Sequence, residues 1–589
     1  MLVVGGFLRF FPIWFGLPFD EARPDEETAI KLAIQIRGGD LNPHFFHWPS
    51  LIFYLFAASF SAASWIRRLV GLTAPLTVNQ EYLIARAVVA LAGTITIAVV
   101  FALARRIAGD AIALLAAVFL AVAPLHVRDS HFAMTDVVMT LLATAALALL
   151  VRAAGVRRTA ASHRANGVWW FAAAGLAAGL ATSTKYSAAA LLVAMAPAQW
   201  QSAGRSTERW WNAVVWAPSV AFALAFAIGF FAATPYALLD YRSFSADVAF
   251  DFTHLAEGHG ADLGRGWTHH ISRSLPYGLG IPLFVMAVVG IVPMAISFLS
   301  PSLIIAAFGA ALYAALGRGH TVFFRYILPL VPLACVSAAV AMQRAGDWIA
   351  RRTGQSSRGI IALAAVAVAT PSAVNSAWLD VLLAKTDTRV LAAEWLATRI
   401  KPDESLYDAG EPYANASTAG VHIHHWSTET FDPIANDFKS GGRLPDWMVL
   451  QESPLETYAT VPSGLRRLAA ERYELAYHIR ATRPDRDPGV YDPQDAFFLP
   501  ISGFSGVIRP GPTLLIYRRL GLPASLTHTS FWQGDLVRHR QGEFRAPRPR
   551  ERHAGVFIGD DIVDRKTVGQ FLSPPDVRAS LNEEAVDPE

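Results

Sequence analysis

The sequence predicts a polytopic α-helical membrane protein of about eleven spans with interfacial helices, followed by a C-terminal α/β soluble domain. Three observations carry this. The chain is 53% hydrophobic and 16% charged, whereas soluble proteins average about 25% charged. Apolar runs of spanning or near-spanning length recur from the N-terminus to residue 378. Beyond about residue 380 charged residues, Pro and Gly rise, and apolar runs shrink to strand length. The expected units are therefore a membrane part over 1–380, an extracytoplasmic α/β part over 381–525, and a polar, partly disordered tail over 526–589.

The first apolar run, MLVVGGFLRFFPIWFGLPF, has no basic leading segment and no small-residue cleavage site, so it reads as a retained span. The following spans are expected near 82–104, 111–127, 135–151, 168–183, 185–200, 213–233, 277–299, 301–316, 326–342 and 359–378. Segment 51–66 is set apart. Its small and polar residues (AASFSAAS) and the following Arg67 and Arg68 fit an interfacial or re-entrant helix. With that choice the basic loops at Arg105/Arg106, Arg152–Arg164, Arg205/Arg209 and Arg344–Arg358 share the cytoplasmic side. Loops 19–81, 126–135, 234–276, 317–325 and the C-terminal domain share the outer side. The expected location is a bacterial inner membrane, with that domain periplasmic or extracellular.

In the outer domain, TDTRVLAAEWLATRIKPDESLYDAG predicts an amphipathic helix through Val390, Leu391, Trp395, Leu396 and Ile400, ended by Pro402 and followed by a strand. WMVLQES, YELAYHI and TLLIYRR are strand-like.

The net charge of +3, with no Lys/Arg-rich run, excludes a nucleic-acid partner. The single cysteine, Cys335, rules out an intrachain disulfide. Histidines are numerous, but His422, His424 and His425 lack further ligands at metal-site spacing, so no metal site is assigned. No phosphate-binding loop, dinucleotide fingerprint or nucleophile elbow is present.

Charged residues at a membrane boundary are costly and mark function or snorkelling. RPDEETAIKLA places Asp25, Glu26 and Glu27 just past the first span. Asp25 and Glu26 point about 100° apart on a helix, so at most one is a base, and an N-terminal capping role competes. APLHVRDSHFAMTD supplies Arg128, His131 and Asp136. Arg128 also reads as a snorkelling arginine, and Asp136 as a helix cap. GLATSTKYS sets Lys185 beside Tyr186, and Lys185 is the only lysine between residues 32 and 384. A lone ammonium there suits an anionic headgroup, as it also suits plain snorkelling. Arg325 and Tyr326 open a later span, where an arginine can hold a phosphate bidentately.

These motifs, in this order, resemble the GT-C membrane glycosyltransferases: the early Asp-Glu, GGDLNPHFFHWPSLIFYL, HVRDSHFAMTD, GLATSTKYS, TPYALLD and FRYILPLVPL. The nearest branch is that of the protein O-mannosyltransferases and the lipid A aminoarabinose transferase. DTRVLAAEW and YDPQDAFFLPISGFSGVIRPGPTLLIY are similar to the outer domains of bacterial members. The resemblance spans about residues 1–520. It implies a GT-C fold and a polyprenyl-phosphate-linked sugar donor, with Asp25 as the base that deprotonates a hydroxyl acceptor. It further implies Glu26 in support, Lys185, Arg325 and Arg128 near the donor phosphate, and Asp136, His131, Tyr186 and Tyr326 positioning substrate. No cofactor is required, and a divalent metal is not indicated. Around His47-Trp48-Pro49 the pattern departs from the aminoarabinose branch, which puts that sugar in doubt.

The expected function is inverting transfer of a sugar from polyprenyl phosphate to a hydroxyl of protein, lipid or cell-wall glycan, with loop 234–276 as a lid. The competing reading, a transporter or flippase of lipid-linked sugars, needs no appended outer domain and normally carries internal repeats.

Overall fold

In the computed structural model the described residues are 1–155, 160–204, 212–410, 412–416 and 424–521. The basic loop at 205–209, part of that at 152–164, His422 and the tail expected over 526–589 lie outside them.

Among the described residues six helices are long and apolar enough to cross a bilayer: Val78–Ala108, Thr135–Ala154, Val215–Ala233, Leu299–Gly317, Phe324–Thr353 and the one beginning at Ser357. The pair Gly266–Leu279 and Ile281–Ser297, bent by 117°, is either a seventh, broken span or a re-entrant loop. Other expected spans correspond to shorter helices. The first, α1 (Leu2–Phe10), ends at Phe11 before Pro12. The run near 111–127 divides into Asp110–Val122 and Pro124–Asp129. In both, proline removes a backbone donor and the preceding residue leaves the helical region, so one apolar run becomes two elements.

Segment 51–66 forms a helix, α3 (Leu51–Leu69), that is not among these candidate spans. It packs on α2 (Glu26–Arg37) and on α4 (Val78–Ala108). Thr77 caps α4 with a reciprocal Thr–Gln capping box, which satisfies two otherwise orphan amides.

Small residues let helices approach. The helices Ala160–Thr182 and Ala213–Ala233 run so close that a Cβ at Gly175 or Gly179 would collide with the carbonyls of Phe222 and Phe226. Such contact suits a bilayer, where dispersion between backbones replaces the hydrophobic effect as the association force.

After the helix Ser357–Leu383 and the helix Thr388–Ala397 comes the sheet domain. Its strands are β1 (Ser405–Asp408), β2 (His424–Trp426), β3 (Phe431–Asp432), β4 (Asp437–Phe438), β5 (Trp447–Glu452), β6 (Tyr473–Ile479) and β7 (Thr513–Arg519). The main sheet has order β2-β1-β5-β7-β6, with β3 and β4 in a separate ladder. β1 pairs in parallel with β2 and β5, while β7 is antiparallel to β5 and β6. The three strand-like runs of the sequence become β5, β6 and β7. Leu406, Trp447, Val449, Leu514 and Ile516 cover the helix Thr388–Ala397 through Ala392 and Leu396.

Candidate active site

The loops assigned to one side by charge meet on the face that carries the sheet domain. Asp25 is the N-cap of α2, with φ 74° and ψ −18°. This left-handed backbone is one that Asp tolerates better than most side chains. Its carboxylate caps no amide of α2. Instead Oδ2 accepts from Arg325 Nη2 at 3.0 Å, and the side chain keeps 25% exposure. The α2 N-terminus adds a positive partial charge behind the carboxylate.

Arg325 sits in the 3₁₀ turn Phe324–Leu330 at the head of a span, with its guanidinium 4.3 Å from the Phe323 ring centroid. Lys185 lies in the break between the helix ending at Thr182 and the turn beginning at Tyr186. Its Nζ donates to Asp136 Oδ1 at 2.6 Å and stands 4.4 Å from the Tyr326 ring centroid. Thus Asp25, Arg325, Tyr326, Lys185 and Asp136 form one continuous row. Asp136 is engaged by an ammonium rather than by helix amides.

A group that the sequence reading did not single out ties this row to the sheet domain. Asp495 accepts from Arg23 Nη1 at 2.7 Å and from Arg128 Nη2 at 3.3 Å, and lies 3.7 Å from Arg325 Nη1. Burial alone would raise the Asp495 carboxyl, but Arg23, Arg325 and Arg128 outweigh it and hold it below the usual carboxylate range. Nearby Asp492 is pushed up by burial and by the charge of Asp495, and accepts from the Phe324 amide at 2.8 Å. Gln494 accepts from the Val322 amide at 2.6 Å and donates to the Ala261 and His320 carbonyls, each at 2.9 Å. The one available signal was YDPQDAFF, whose two acids and amide stand directly before an apolar run.

Within 234–276 the helix Tyr241–Glu257 is fastened to the loop that precedes α3. Asp240 accepts from Asn42 at 3.1 Å, Asp247 from the Phe46 amide at 2.8 Å, and Asp251 pairs with His47 at 2.9 Å. Rings of Phe250, His254, His259 and Phe323 continue in contact from there toward Arg325.

Four expected site residues stand apart from the row. Glu26 is fully buried and takes Arg86 on both oxygens at 3.0 and 2.6 Å, with the Ala133 amide at 2.6 Å. It is a structural anion rather than a catalytic one, because the turn of α2 directs it into the core while Asp25 stays at the rim. Arg128 is 2% exposed and donates from Nη1 to Asp129 at 3.1 Å and from Nη2 to Asp495 at 3.3 Å, so both ends of its fork are engaged within the protein. His131 is buried among α1 and its own turn, with Nε2 at 3.0 Å from the Phe11 carbonyl and Nδ1 at 3.0 Å from that of Val127. It therefore holds backbone rather than substrate. Tyr186 donates to the Phe46 carbonyl at 2.8 Å and supports the loop to which the helix Tyr241–Glu257 is tied. Among the described residues no group of three or more His, Cys, Asp or Glu is arranged to hold a metal ion.

With this geometry in view, comparison with known proteins is informative. The family model described as dolichyl-phosphate-mannose-protein mannosyltransferase matches residues 69–240. No curated protein matches the chain in sequence. Among solved structures, ArnT from Cupriavidus metallidurans bound to undecaprenyl phosphate aligns with TM-score 0.51 at 14% identity, covering 87% of this chain and 96% of that one. Its apo state aligns with TM-score 0.48 at 16% identity, covering 86% and 95%. The archaeal oligosaccharyltransferase AglB from Archaeoglobus fulgidus, in complex with an inhibitory peptide and a dolichol-phosphate, gives 0.47 at 13% identity, covering 81% and 72%. The helical membrane half, the appended sheet domain and the fit over nearly the whole of ArnT identify the chain as a multi-pass membrane protein with the GT-C glycosyltransferase fold.

Proposed function

We propose that the protein is an inverting glycosyltransferase that moves a sugar from a polyprenyl-phosphate donor to a hydroxyl acceptor at the extracytoplasmic face of a bacterial inner membrane. The observation that carries this reading is the 3.0 Å pair between Asp25 and Arg325 at an accessible rim, beside Lys185. A base and fixed cations at one point are what displacement of a lipid phosphate requires.

In the reaction the acceptor oxygen bonds to the anomeric carbon while the bond from that carbon to the phosphate oxygen breaks. The phosphate leaves with the electron pair, and the acceptor proton passes to Asp25. Attack opposite the leaving group inverts the anomeric centre. Arg325 and Lys185 take the charge that builds on the leaving phosphate, in a setting where water is scarce and charge is felt strongly. The step needs no redox or organic cofactor.

The resting pair gives the cycle an order. Arg325 holds Asp25 until a donor phosphate competes for the guanidinium, and the freed carboxylate can then accept a proton. Undecaprenyl phosphate is the lipid bound in the ArnT structure, and its anionic head suits the cations Arg325 and Lys185.

The test uses the purified full chain with polyprenyl-phosphate mannose first and other polyprenyl-phosphate hexoses and pentoses next. Asp25→Asn is expected to lower transfer by about a thousandfold, within the range for loss of a general base, with donor binding no weaker than wild type. Full activity in Asp25→Asn removes the base. A wild type that transfers none of these sugars overturns the transferase reading.

A further inference from the structure

The chemistry above uses one face of the membrane half, and a second charged hollow lies at the other. The helix Thr135–Ala154 begins at the row, with Asp136 beside Lys185, and closes at Gly155. The rise of an α-helix puts those two residues roughly 28 Å apart. That is close to the thickness of a bilayer's hydrocarbon core. Around Gly155, the end of α4, the end of the helix Leu191–Ala203 and the turn from the helix Ile281–Ser297 into the helix Leu299–Gly317 enclose a cavity of about 540 Å³.

The cavity has two kinds of wall. Ile107, Val151 and Ile304 give it an apolar side. Arg106, Gln201, Ser297 and Ser300 give it a polar one, and among the described residues no acid lines it. The Gln201 amide donates to the Ser300 carbonyl at 2.6 Å, and the Ser300 hydroxyl donates back to Gln201 Oε1, so this part of the wall is fixed. The helix Leu299–Gly317 has no side-chain cap and turns its first residues to the cavity, which adds the positive end of its dipole.

Arg106 is the charged group of the lining. Its neighbour Arg105 pairs with Asp110 at 2.6 Å, whereas Arg106, among the described residues, takes no hydrogen bond or ion pair. Arg152, on the helix Thr135–Ala154, is near enough for its charge to act on Arg106, and its guanidinium lies 3.8 Å from the Trp170 ring centroid. Arg344, which also faces Asp347, donates to the Ser297 hydroxyl at 2.8 Å. An arginine in a last helical turn also serves the carbonyl end of its own helix, and Arg106 and Arg152 do so. That service does not require arginines of separate helices to gather at one cavity whose lining lacks a carboxylate. Like charges repel across such a space, and an anion between them turns the repulsion into attraction.

We propose that this cavity binds the phosphate of an anionic phospholipid in the leaflet opposite the active site. Arg106 takes the phosphate oxygens, Arg152 and Arg344 add charge, and the apolar side receives the start of the acyl chains. A free phosphate would leave that apolar side uncovered. The site goes beyond the transferase reading and stands without it.

Native mass spectrometry of the full chain, with phosphatidylglycerol, phosphatidylcholine or inorganic phosphate added, tests the proposal. Wild type is expected to hold phosphatidylglycerol more tightly than phosphatidylcholine. Arg106→Gln should weaken phosphatidylglycerol binding about tenfold, as for loss of one charge-assisted contact, and Arg106→Lys should weaken it less. Arg105→Gln removes the same charge from the same turn and should leave binding unchanged. Arg106 is exposed, so its variants should melt at the wild-type temperature and transfer sugar at the wild-type rate. Equal loss in Arg105→Gln and Arg106→Gln would reduce the effect to general positive charge and overturn the site, as would no loss in Arg106→Gln. Inorganic phosphate held as tightly as phosphatidylglycerol would overturn the lipid as its source.

Discussion

Asp25 and Glu26 are neighbours in sequence with opposite fates. The left-handed backbone at Asp25 turns its side chain to the rim, and the first turn of α2 sends Glu26 into the core, where Arg86 meets it with both side chains at 0% exposure. Arg86 also donates to the Ile13 and Phe15 carbonyls at 2.9 and 2.8 Å and stacks 3.8 Å from the Phe15 ring centroid. Removing one partner of such a buried pair leaves an uncompensated charge, which costs about 3–5 kcal/mol. Glu26→Ala should accordingly lower thermal stability in detergent sharply, whereas Asp25→Asn should leave it near wild type. A Glu26→Ala protein as stable as wild type but inactive would return Glu26 to the chemistry. A charge at a membrane edge draws attention in a sequence because of its solvation cost, so Asp25, Lys185 and Arg325 were legible. Which of two adjacent acids faces out depends on a single φ, which no spacing rule supplies.

At the scale of elements, the segment Tyr491–Phe498 is the joint between sheet domain and membrane half. Asp492 and Gln494 take the amides of Phe324 and Val322, so they fix the chain directly before Arg325, where its turn begins. Asp495 steadies the guanidiniums of Arg23 and Arg128 and stands behind that of Arg325. Asp495→Asn should loosen this joint without unfolding the spans. Hydrogen exchange should quicken over residues 491–498, and donor affinity should drop by about tenfold as Arg325 loses its backing charge. Unchanged exchange together with unchanged donor affinity would show that the joint is rigid without Asp495. The strands of this domain were legible because runs such as TLLIYRR pair apolar and aromatic content with strand length. The joint was not. Asp495 lies 470 positions after Asp25, and its importance arises only when three arginines from separate loops close on it.

For the molecule as a whole, the fold brings loops distant in sequence onto one face: the first loop, the turn after Pro124, the break at Lys185, the helix Tyr241–Glu257 and the turn at Arg325. That grouping followed from the spacing of basic loops, since alternation across the membrane is a strong constraint. The number and length of the crossings did not, because Pro12 and Pro124 divide apolar runs that composition alone counts as continuous. The central claim is that one guanidinium serves both the resting base and the donor phosphate. It is tested most directly by measuring undecaprenyl phosphate binding to the full chain, to Asp25→Asn and to Arg325→Leu. If carboxylate and phosphate compete for Arg325, Asp25→Asn should bind the lipid phosphate about tenfold more tightly than wild type, and Arg325→Leu should lose most of that affinity. Equal affinity in all three proteins would contradict it.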